Sequence, residues 1–256
     1  MKWMRFMHGG QAHFGQLQGD SVQPCQGDMF GAVEPLGGSL PLAGLQWLPP
    51  VQPGQIIGLW NNFRSAAAHN GWAEPTEPLY FLKGTGSLQA PGAPIPVPAA
   101  YDGRVVSEGE LAIVIGRRAR AVSVAEAPAH IFGYTAANDV TALELLQRDP
   151  SFPQWTRAKS FDGFGPLGPC ICTDFAIGQG TLLRTLVGGR ERQNCALSDM
   201  FFPPAELVSR LSQDMTLQPG DVILCGTALG VLPMKPGTEV QVCIDGLPPL
   251  VNVYGG

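Results

Sequence analysis

The sequence has little charge and no long hydrophobic segment. Charged residues are only 14% of its 256 residues, and 16 Lys and Arg against 21 Asp and Glu give a net charge of −5. A nucleic-acid-binding protein would need a basic surface, which this balance does not supply. No run approaches the roughly 18 apolar residues that a membrane-spanning helix requires. We therefore expect neither a nucleic-acid partner nor insertion into a membrane.

The sequence also lacks paired metal-binding or disulfide motifs. Its cysteines are Cys25, Cys170, Cys172, Cys195, Cys225 and Cys243, and its histidines are His8, His13, His69 and His130. None of the cysteines forms C-x-x-C, and the histidines show no ligand spacing with them, so a zinc site is not favoured. Residues Met1–Phe6 lack the apolar core of a signal peptide. These features predict reduced thiols in a cytoplasmic protein.

Glycine and proline are abundant instead. The 33 Gly and 24 Pro are nearly twice the usual combined share of about 12%. Such a chain is typical of many turns and short strands, and its length suits one large domain with or without a small appendage. We predict an α+β fold that is mainly β, with a few short helices. Because charges are few, apolar surface remains to be covered, which favours a homo-oligomer.

The chain divides near residue 50. Short strand candidates at Met1–Phe6, His13–Leu17 and Ser21–Pro24 predict a small antiparallel β unit over residues 1–50. A Pro-rich stretch around residues 48–54 reads as a linker. Residues 55–256 are the predicted catalytic domain, in which the fully apolar run Leu111–Ile115 suits a strand buried on both faces. Helices are predicted at Phe63–Gly71, Val122–Ala129, Val140–Arg148 and Pro204–Leu211.

Two glutamates two positions apart are the first candidate for chemistry. Glu108 and Glu110 would project from the same face of a strand. Like charges in an apolar setting repel each other, and a divalent cation such as Mg²⁺ or Mn²⁺ would remove that cost. The alternative is a solvent-facing pair at a strand start. Asp139, after an apolar strand, could supply a third carboxylate or could cap a helix.

Lys159 and the segment Gly226-Thr227 are the other candidates. Lys159 is the only lysine between positions 84 and 234, and aromatic residues flank it. It could orient a substrate carboxylate, or it could be a surface lysine that extends to solvent. Gly226 and Thr227 follow an apolar strand, where exposed N–H groups and a hydroxyl could bind an anionic oxygen. An ordinary turn explains them equally well.

Four segments carry a recognisable set of motifs in one order. They are Glu108–Gly116 (E-x-E-L), Gly133–Thr141 (G-Y-T-x-x-N-D-x-T), Ala158–Asp162 (A-K-S-F-D) and Pro219–Thr227 (G-D-x-I-x-x-G-T). This collinear set resembles the fumarylacetoacetate hydrolase superfamily over about residues 55–256. Within it, the chain looks most like the branch of 2-hydroxyhepta-2,4-diene-1,7-dioate isomerases and 5-oxopent-3-ene-1,2,5-tricarboxylate decarboxylases.

The resemblance implies a mixed β-roll fold, a homodimer and a divalent metal. Carried over by motif, the metal ligands are Glu108, Glu110 and Asp139, Lys159 lies near metal and substrate, and Mg²⁺ or Mn²⁺ is the cofactor. Members act on 2-oxo or enol acids in aromatic-acid breakdown, by C–C hydrolysis, decarboxylation or isomerisation. The shared chemistry is chelation of a 2-oxo carboxylate, with the metal as Lewis acid on the developing enolate.

The chain departs from the family in more than one motif. Many members carry N-Y-x-x-H-x-x-E, whose His and Glu activate water or move a proton. Aligning Asn62-Phe63 with N-Y places Ala66 at the His position and His69 at the Glu position. Residues 66 and 69 share a helical face, so His69 could reach the site by a shift of one turn and act as general base, without the family's Glu partner. The alternative is a surface histidine. The family's T-x-R-D becomes Thr141–Glu144.

These departures favour isomerisation or decarboxylation of a small 2-oxo or enol dicarboxylic acid, because neither reaction needs an activated water. The alternatives are a C–C hydrolase of acylpyruvate or fumarylacetoacetate type, and a protein that binds metal and 2-oxo acids without turnover.

Overall fold

The computed structural model describes all 256 residues and is built mainly of short strands. The strands are β1 Lys2–His8, β2 Gln11–Gln18, β3 Ser21–Gly27, β4 Val33–Pro35, β5 Leu40–Pro41, β6 Gln46–Leu48, β7 Ile56–Trp60, β8 Leu79–Lys83, β9 Leu88–Gln89, β10 Val105–Ser107, β11 Gly109–Ile115, β12 Ile131–Asn138, β13 Thr141–Ala142, β14 Gly165–Cys172, β15 Leu182–Val187, β16 Arg190–Ala196, β17 Val222–Leu224, β18 Leu232–Pro233, β19 Thr238–Ile244 and β20 Leu250–Tyr254. The helices are α1 Arg64–Asn70, α2 Trp155–Lys159 and α3 Pro204–Asp214, with single 3₁₀ turns at Thr85–Ser87, Ala127–His130, Leu143–Leu145 and Leu197–Asp199. The predicted mainly β fold with short helices is confirmed.

One sheet dominates the molecule. Its main path runs β4-β3-β2-β1-β14-β12-β11-β17-β7-β8, and β5, β6 and β9 pair beside this path. The strands are mostly antiparallel, but β17 pairs with β7 in parallel. Two smaller sheets, β13-β10-β18 and β16-β15-β19-β20, complete the fold. No helix is long and apolar enough to cross a membrane.

Strand β11 lies at the centre of the core. All seven of its residues are buried, and alternate side chains join different clusters: Leu111, Ile113 and Ile115 pack into the largest one, while Ala112 and Val114 pack into a second. A strand covered on both faces has no need of polar residues, which explains the continuous apolar run in the sequence. The site described below lies where this buried strand begins.

The N-terminal strands extend the main sheet. Strand β1 pairs antiparallel with β14, with Trp3 opposite Ile171, and the Met1 ammonium lies 2.8 Å from the Asp174 carboxylate. The three predicted strands of this region correspond to β1, β2 and β3. The division of the chain near residue 50 into two domains stays a prediction.

Two of the four predicted helices are absent. Within Val122–Ala129, Ser123 and Glu126 form reciprocal side-chain-to-backbone hydrogen bonds, but only one 3₁₀ turn follows, because Pro128 lacks an N–H. Within Val140–Arg148, the Val140 and Leu143 N–H groups donate to the Phe164 and Arg104 carbonyls. These long-range bonds replace the helical ones, so tertiary contacts override local preference.

Candidate metal centre and active site

Adjacent strand ends bring three carboxylates together. Glu108 immediately precedes β11 and Glu110 lies in it, while Asp139 immediately follows β12. The two strands pair antiparallel with Gly109 opposite Asn138, so the start of one lies beside the end of the other. One carboxylate oxygen from each residue lies within 4.8 Å of the others. Glu110 and Asp139 are buried, and Glu108 is partly accessible.

Backbone and hydroxyl contacts fix these carboxylates. The Asp139 N–H donates to the Glu108 carbonyl at 2.9 Å, and the Glu108 N–H donates to Asn138 Oδ1 at 3.0 Å. The Thr141 hydroxyl donates to Glu108 Oε1 at 2.7 Å. Because these contacts join the start of β11 to the end of β12 and to Thr141 just after it, strand pairing sets the separation of the carboxylates.

Two buried lysines offset the negative charge. Lys159 ends helix α2, and its Nζ lies 2.8 Å from Glu108 Oε2 and 2.5 Å from Asp139 Oδ2. Lys83 ends strand β8, and its Nζ lies 2.8 Å from Asp139 Oδ1; it also donates to the Lys159 carbonyl. Buried charges are stable only when paired and hydrogen-bonded, as both are here.

The pKa values show which carboxylate is least compensated. Burial raises the pKa of Glu110 well above its ordinary range, and the neighbouring Asp139 raises it further. Burial acts the same way on Asp139, but Lys159 and Lys83 outweigh it and lower the pKa of Asp139. The pKa of Lys83 is lowered by burial. The pKa of Lys159 is raised, because Asp139, Glu108 and Glu110 together outweigh burial.

Gly226 and Thr227 contact the ligand-bearing strand. The Gly226 N–H donates to Glu110 Oε2 at 2.7 Å, and the Thr227 hydroxyl donates to the Gly109 carbonyl at 3.2 Å. The Gln193 amide, from a different sheet, donates to that same carbonyl and to Thr227 Oγ1, each at 3.0 Å. In this arrangement both predicted residues hold the segment between the glutamates. Their role in substrate binding stays a prediction.

His69 lies apart from these contacts. It is exposed in the last turn of α1, whereas Ala66, at the family's histidine position, is buried. The beginning of α1 does reach the site, because the Asn62 amide donates to the Cys225 carbonyl at 2.8 Å, next to Gly226. The role of His69 as a general base stays a prediction.

Comparison with known proteins agrees with this geometry. The family model described as fumarylacetoacetate (FAA) hydrolase C-terminal matches residues 55–253, and one described as Rv2993c-like, N-terminal matches residues 1–50. The chain belongs to the fumarylacetoacetate hydrolase superfamily. The assignment of the metal site to Glu108, Glu110 and Asp139 stays a prediction.

Solved structures of this superfamily have the same fold. The chain is 36% identical to the 5-carboxymethyl-2-hydroxymuconate delta-isomerase from Mycobacterium smegmatis, with a TM-score of 0.91 over 99% of both chains. It is 35% identical to the 2-hydroxyhepta-2,4-diene-1,7-dioate isomerase from Mycobacterium marinum, with a TM-score of 0.90 over 99% of this chain and 98% of that one. It is 27% identical to the fumarylpyruvate hydrolase from Pseudomonas aeruginosa, solved with Mn²⁺ and pyruvate, with a TM-score of 0.72 over 82% and 91% of the two chains.

The donor set in this chain fits a divalent metal. All three side chains offer carboxylate oxygens, the ligands that Mg²⁺ and Mn²⁺ prefer, and Glu110 accepts a hydrogen bond only at Oε2. With two ammonium groups against three carboxylates, the fully ionised cluster carries a net charge of −1. A dication would change this to +1, which suits the binding of an acidic ligand.

Sequence reasoning missed Lys83. Lys159 was identified because no other lysine lies near it in the sequence. Lys83 has a comparable signal, since it is the only charged residue in strand β8, Leu79–Lys83. A single charge that ends an otherwise apolar strand is the signal that could have identified it. Its contact with Asp139 joins residues 56 positions apart, which local spacing does not reveal.

Proposed function

We propose that this superfamily member is a divalent-metal-dependent enzyme that isomerises or decarboxylates a small 2-oxo or enol dicarboxylic acid. The observation that carries the proposal is the buried cluster of Glu108, Glu110 and Asp139, whose oxygens lie within 4.8 Å of one another. In this proposal the three residues hold Mg²⁺ or Mn²⁺. When bound, the metal would supply Lewis-acid stabilisation to an enolate formed from the substrate.

The lysines have complementary tasks in this proposal. Lys159 Nζ lies within 2.8 Å of both Glu108 and Asp139, so its ammonium faces the place where an acidic substrate would meet the carboxylates. There it would orient a substrate carboxylate or donate a hydrogen bond to an enolate oxygen. Lys83 is fully buried behind Asp139 and would keep that carboxylate ionised and fixed in position.

The position of His69 favours reactions that need no activated water. Its imidazole is exposed on α1, and Ala66 offers no group that could move a proton. Isomerisation and decarboxylation both pass through an enolate, which the cluster would stabilise. We place this activity in the breakdown of aromatic acids in the cytoplasm, in keeping with six free cysteines.

Oxalate, a stable mimic of a 2-oxo-acid enolate, tests the chelate site. Titration calorimetry is expected to show oxalate binding only in the presence of Mg²⁺ or Mn²⁺, and Asp139→Asn is expected to abolish it. The matched control is Asp149→Asn, which removes an exposed carboxylate that contacts only Ser151. Binding without metal, or unchanged binding by Asp139→Asn, would contradict the proposed site.

Proton exchange tests the chemistry without knowledge of the natural substrate. In D₂O with Mg²⁺, the enzyme is expected to speed deuterium incorporation at C3 of oxaloacetate or pyruvate, followed by NMR. Loss of a ligand in Glu110→Gln should slow exchange at least ~10²-fold, because several kcal/mol of charge stabilisation would be removed. Oxalate binding without any exchange or turnover would instead identify a binding protein.

A hydrogen bond near the site is a reason to test the alternative activity, C–C bond hydrolysis with His69 as the base. Asn62 ties the beginning of α1 to the Cys225 carbonyl beside the site, so His69 is carried on an element anchored there. If the chain cleaves an acylpyruvate and His69→Ala stops cleavage while oxalate affinity is kept, the protein is a C–C hydrolase. Cleavage that persists in His69→Ala would exclude His69 as the base.

A further inference from the structure

A continuous row of aromatic rings runs outward from Lys159. Its ammonium lies 5.2 Å from the centre of the Phe81 ring, and Phe81 stacks on Trp155 at a centroid distance of 5.3 Å. Trp155 lies 6.0 Å from Trp60, which lies 5.0 Å from Trp72. We call Phe81, Trp155, Trp60 and Trp72 the aromatic wall. It contains three of the five tryptophans in the chain.

Strand pairing places the wall on the same side as the site. Phe81 and Lys83 are two positions apart in β8, so their side chains leave the same face, and Lys83 contacts Asp139 there. In the β7–β8 pair, Gly58 lies opposite Phe81 and Trp60 lies opposite Leu79. Directly opposite residues share a face, so Trp60 also projects toward the site.

The Phe81 ring lies over Gly58, and this close approach requires glycine. A Cβ at Gly58 would lie 2.3 Å from Phe81 Cζ. From helix α2, Trp155 and Lys159 are four residues apart and therefore occupy one face. Helix and sheet thus present their aromatic side chains together, next to the two lysines.

The outer end of the aromatic wall is fixed by a hydrogen bond and is exposed to solvent. Asn61 has a left-handed backbone conformation, with φ of 55°, and its Nδ2 donates to the Ala73 carbonyl at 3.0 Å. This bond closes the segment that contains α1 and keeps Trp72 beside Trp60. Trp72 is 40% exposed and Leu79 is 37% exposed. A fixed aromatic surface that reaches solvent beside a charged cluster has the form of a ligand-binding wall.

We propose that the aromatic wall is the specificity subsite for the part of the substrate beyond C3, and that it selects a planar unsaturated or aromatic group there. This inference rests on the proposed function, because the 2-oxo carboxylate must be held at the acidic cluster. A flat π system would stack on the rings of the wall nearest the cluster, where a saturated branched chain gains less contact.

A ligand panel on the unaltered chain tests the proposal without a variant. With Mg²⁺ present, calorimetry compares phenylpyruvate with 4-methyl-2-oxopentanoate, a saturated acid of the same charge, and oxalate reports on the chelate site alone. Phenylpyruvate is expected to bind roughly fivefold to tenfold more tightly than the saturated acid. Equal or weaker binding of phenylpyruvate, with oxalate still bound, would overturn the subsite and leave the proposed function standing. Failure of oxalate to bind would overturn both.

Variants of Trp155, the tryptophan of the wall nearest Lys159 along the row, locate the subsite. Trp155→Ala is expected to remove most of the preference for phenylpyruvate, measured as the ratio of its Kd to that of oxalate, and Trp155→Phe is expected to keep it. The matched control is Trp47→Ala, which removes a half-buried tryptophan on β6; this strand pairs with β1, separated from β7 by four strands of the sheet path. An unchanged ratio in Trp155→Ala, or an equal loss in Trp47→Ala, would contradict the assignment.

Discussion

At the scale of single residues, Glu144 joins two segments that flank the site. Its carboxylate accepts hydrogen bonds from the Tyr101 hydroxyl and the Arg104 guanidinium, and from the Arg104 N–H at 2.9 Å. The Tyr101 and Arg104 bonds lower the pKa of Glu144 to about 2. Burial, reinforced by the bond to Glu144, raises the pKa of Tyr101 to about 12. Glu144, the last residue of the altered T-x-R-D motif, thus has a structural role. We call its contacts with Tyr101 and Arg104 the Glu144 clasp.

This clasp predicts an acid-dependent contribution to stability. Because the folded-state pKa of Glu144 lies below its ordinary value of 4.5, the ionised carboxylate stabilises the fold above about pH 4.5. That contribution is lost as the pH falls toward 2. Glu144→Gln should therefore lower the denaturation midpoint at pH 7 and flatten its fall between about pH 5 and 2, measured by urea unfolding. Glu34→Gln, which removes an exposed carboxylate in contact with Gln26, should change neither; an unaltered pH profile in Glu144→Gln would contradict the clasp.

The residues of the site differ in how visible they are in the sequence. The E-x-E spacing and a strand that ends at Asp139 suffice to expect carboxylates to converge, since strand geometry alone aligns them. Lys83 and Gln193 contact the same cluster from distant strands. Their positions depend on the order of strands in the sheets, which no local pattern encodes.

At the scale of elements, helix α1 begins with help from another segment. The Asp199 carboxylate accepts hydrogen bonds from the Ser65 N–H at 3.0 Å and from the Ser65 hydroxyl at 2.6 Å. Phe63 precedes the helix and offers no capping side chain. Asp199 therefore satisfies an amide that would otherwise lack a partner in the first turn.

Loss of this cap should loosen α1. Asp199→Ala is expected to cost about 1 kcal/mol of stability, the usual worth of a capping side chain. It should also speed hydrogen exchange over Arg64–Asn70, measured by mass spectrometry. Asp149→Ala, which removes a carboxylate bonded to the Ser151 N–H in a different turn, serves as the control. Equal exchange in α1 for the two variants would show that Asp199 does not hold the helix.

Helices and strands could be predicted from the sequence where no long-range contact competes with the local hydrophobic pattern. The apolar run of β11, the end of α1 and the start of α3 follow from hydrophobicity, the left-handed Gly71 and the amphipathic spacing. Helix α3 extends to Asp214, three residues beyond the predicted Leu211. The helix predicted over Val140–Arg148 was wrong because long-range hydrogen bonds draw its backbone into β13 and a 3₁₀ turn. The spacing of apolar side chains along the sequence does not reveal that long-range hydrogen bonds will replace the helical ones.

At the scale of the whole molecule, the sheet ends in an apolar edge. Strand β8 is the last on the main path and pairs only with β7. Its outward residues Tyr80 and Leu82 are exposed, Leu82 by 47%. Helix α2 covers part of this edge, because the Thr156 hydroxyl donates to the Leu82 carbonyl at 2.9 Å. An edge strand that lacks a second strand partner and exposes apolar side chains still invites association with another chain.

We expect a homodimer that uses this edge. Light scattering during size-exclusion chromatography should give twice the monomer mass of 27.2 kDa, and Leu82→Glu should shift the protein toward monomer because a buried charge would oppose association. Val124→Glu, at an exposed apolar residue away from β8, is the control. A dimer that Leu82→Glu leaves intact would place the interface elsewhere.

The parallel pairing of β7 with β17 has a consequence for how the protein folds. Gln55 and Asp221, which bond at the start of this pair, are 166 positions apart, and the carboxylates and lysines come from strands and a helix between them. Closing so long a loop is slow, because chain entropy must be lost before the contacts repay it. The metal affinity proposed above should consequently reach its full value only late in refolding, when β17 pairs with β7. A chain in which this pair has not formed would lack the bond from the Gly226 N–H to Glu110.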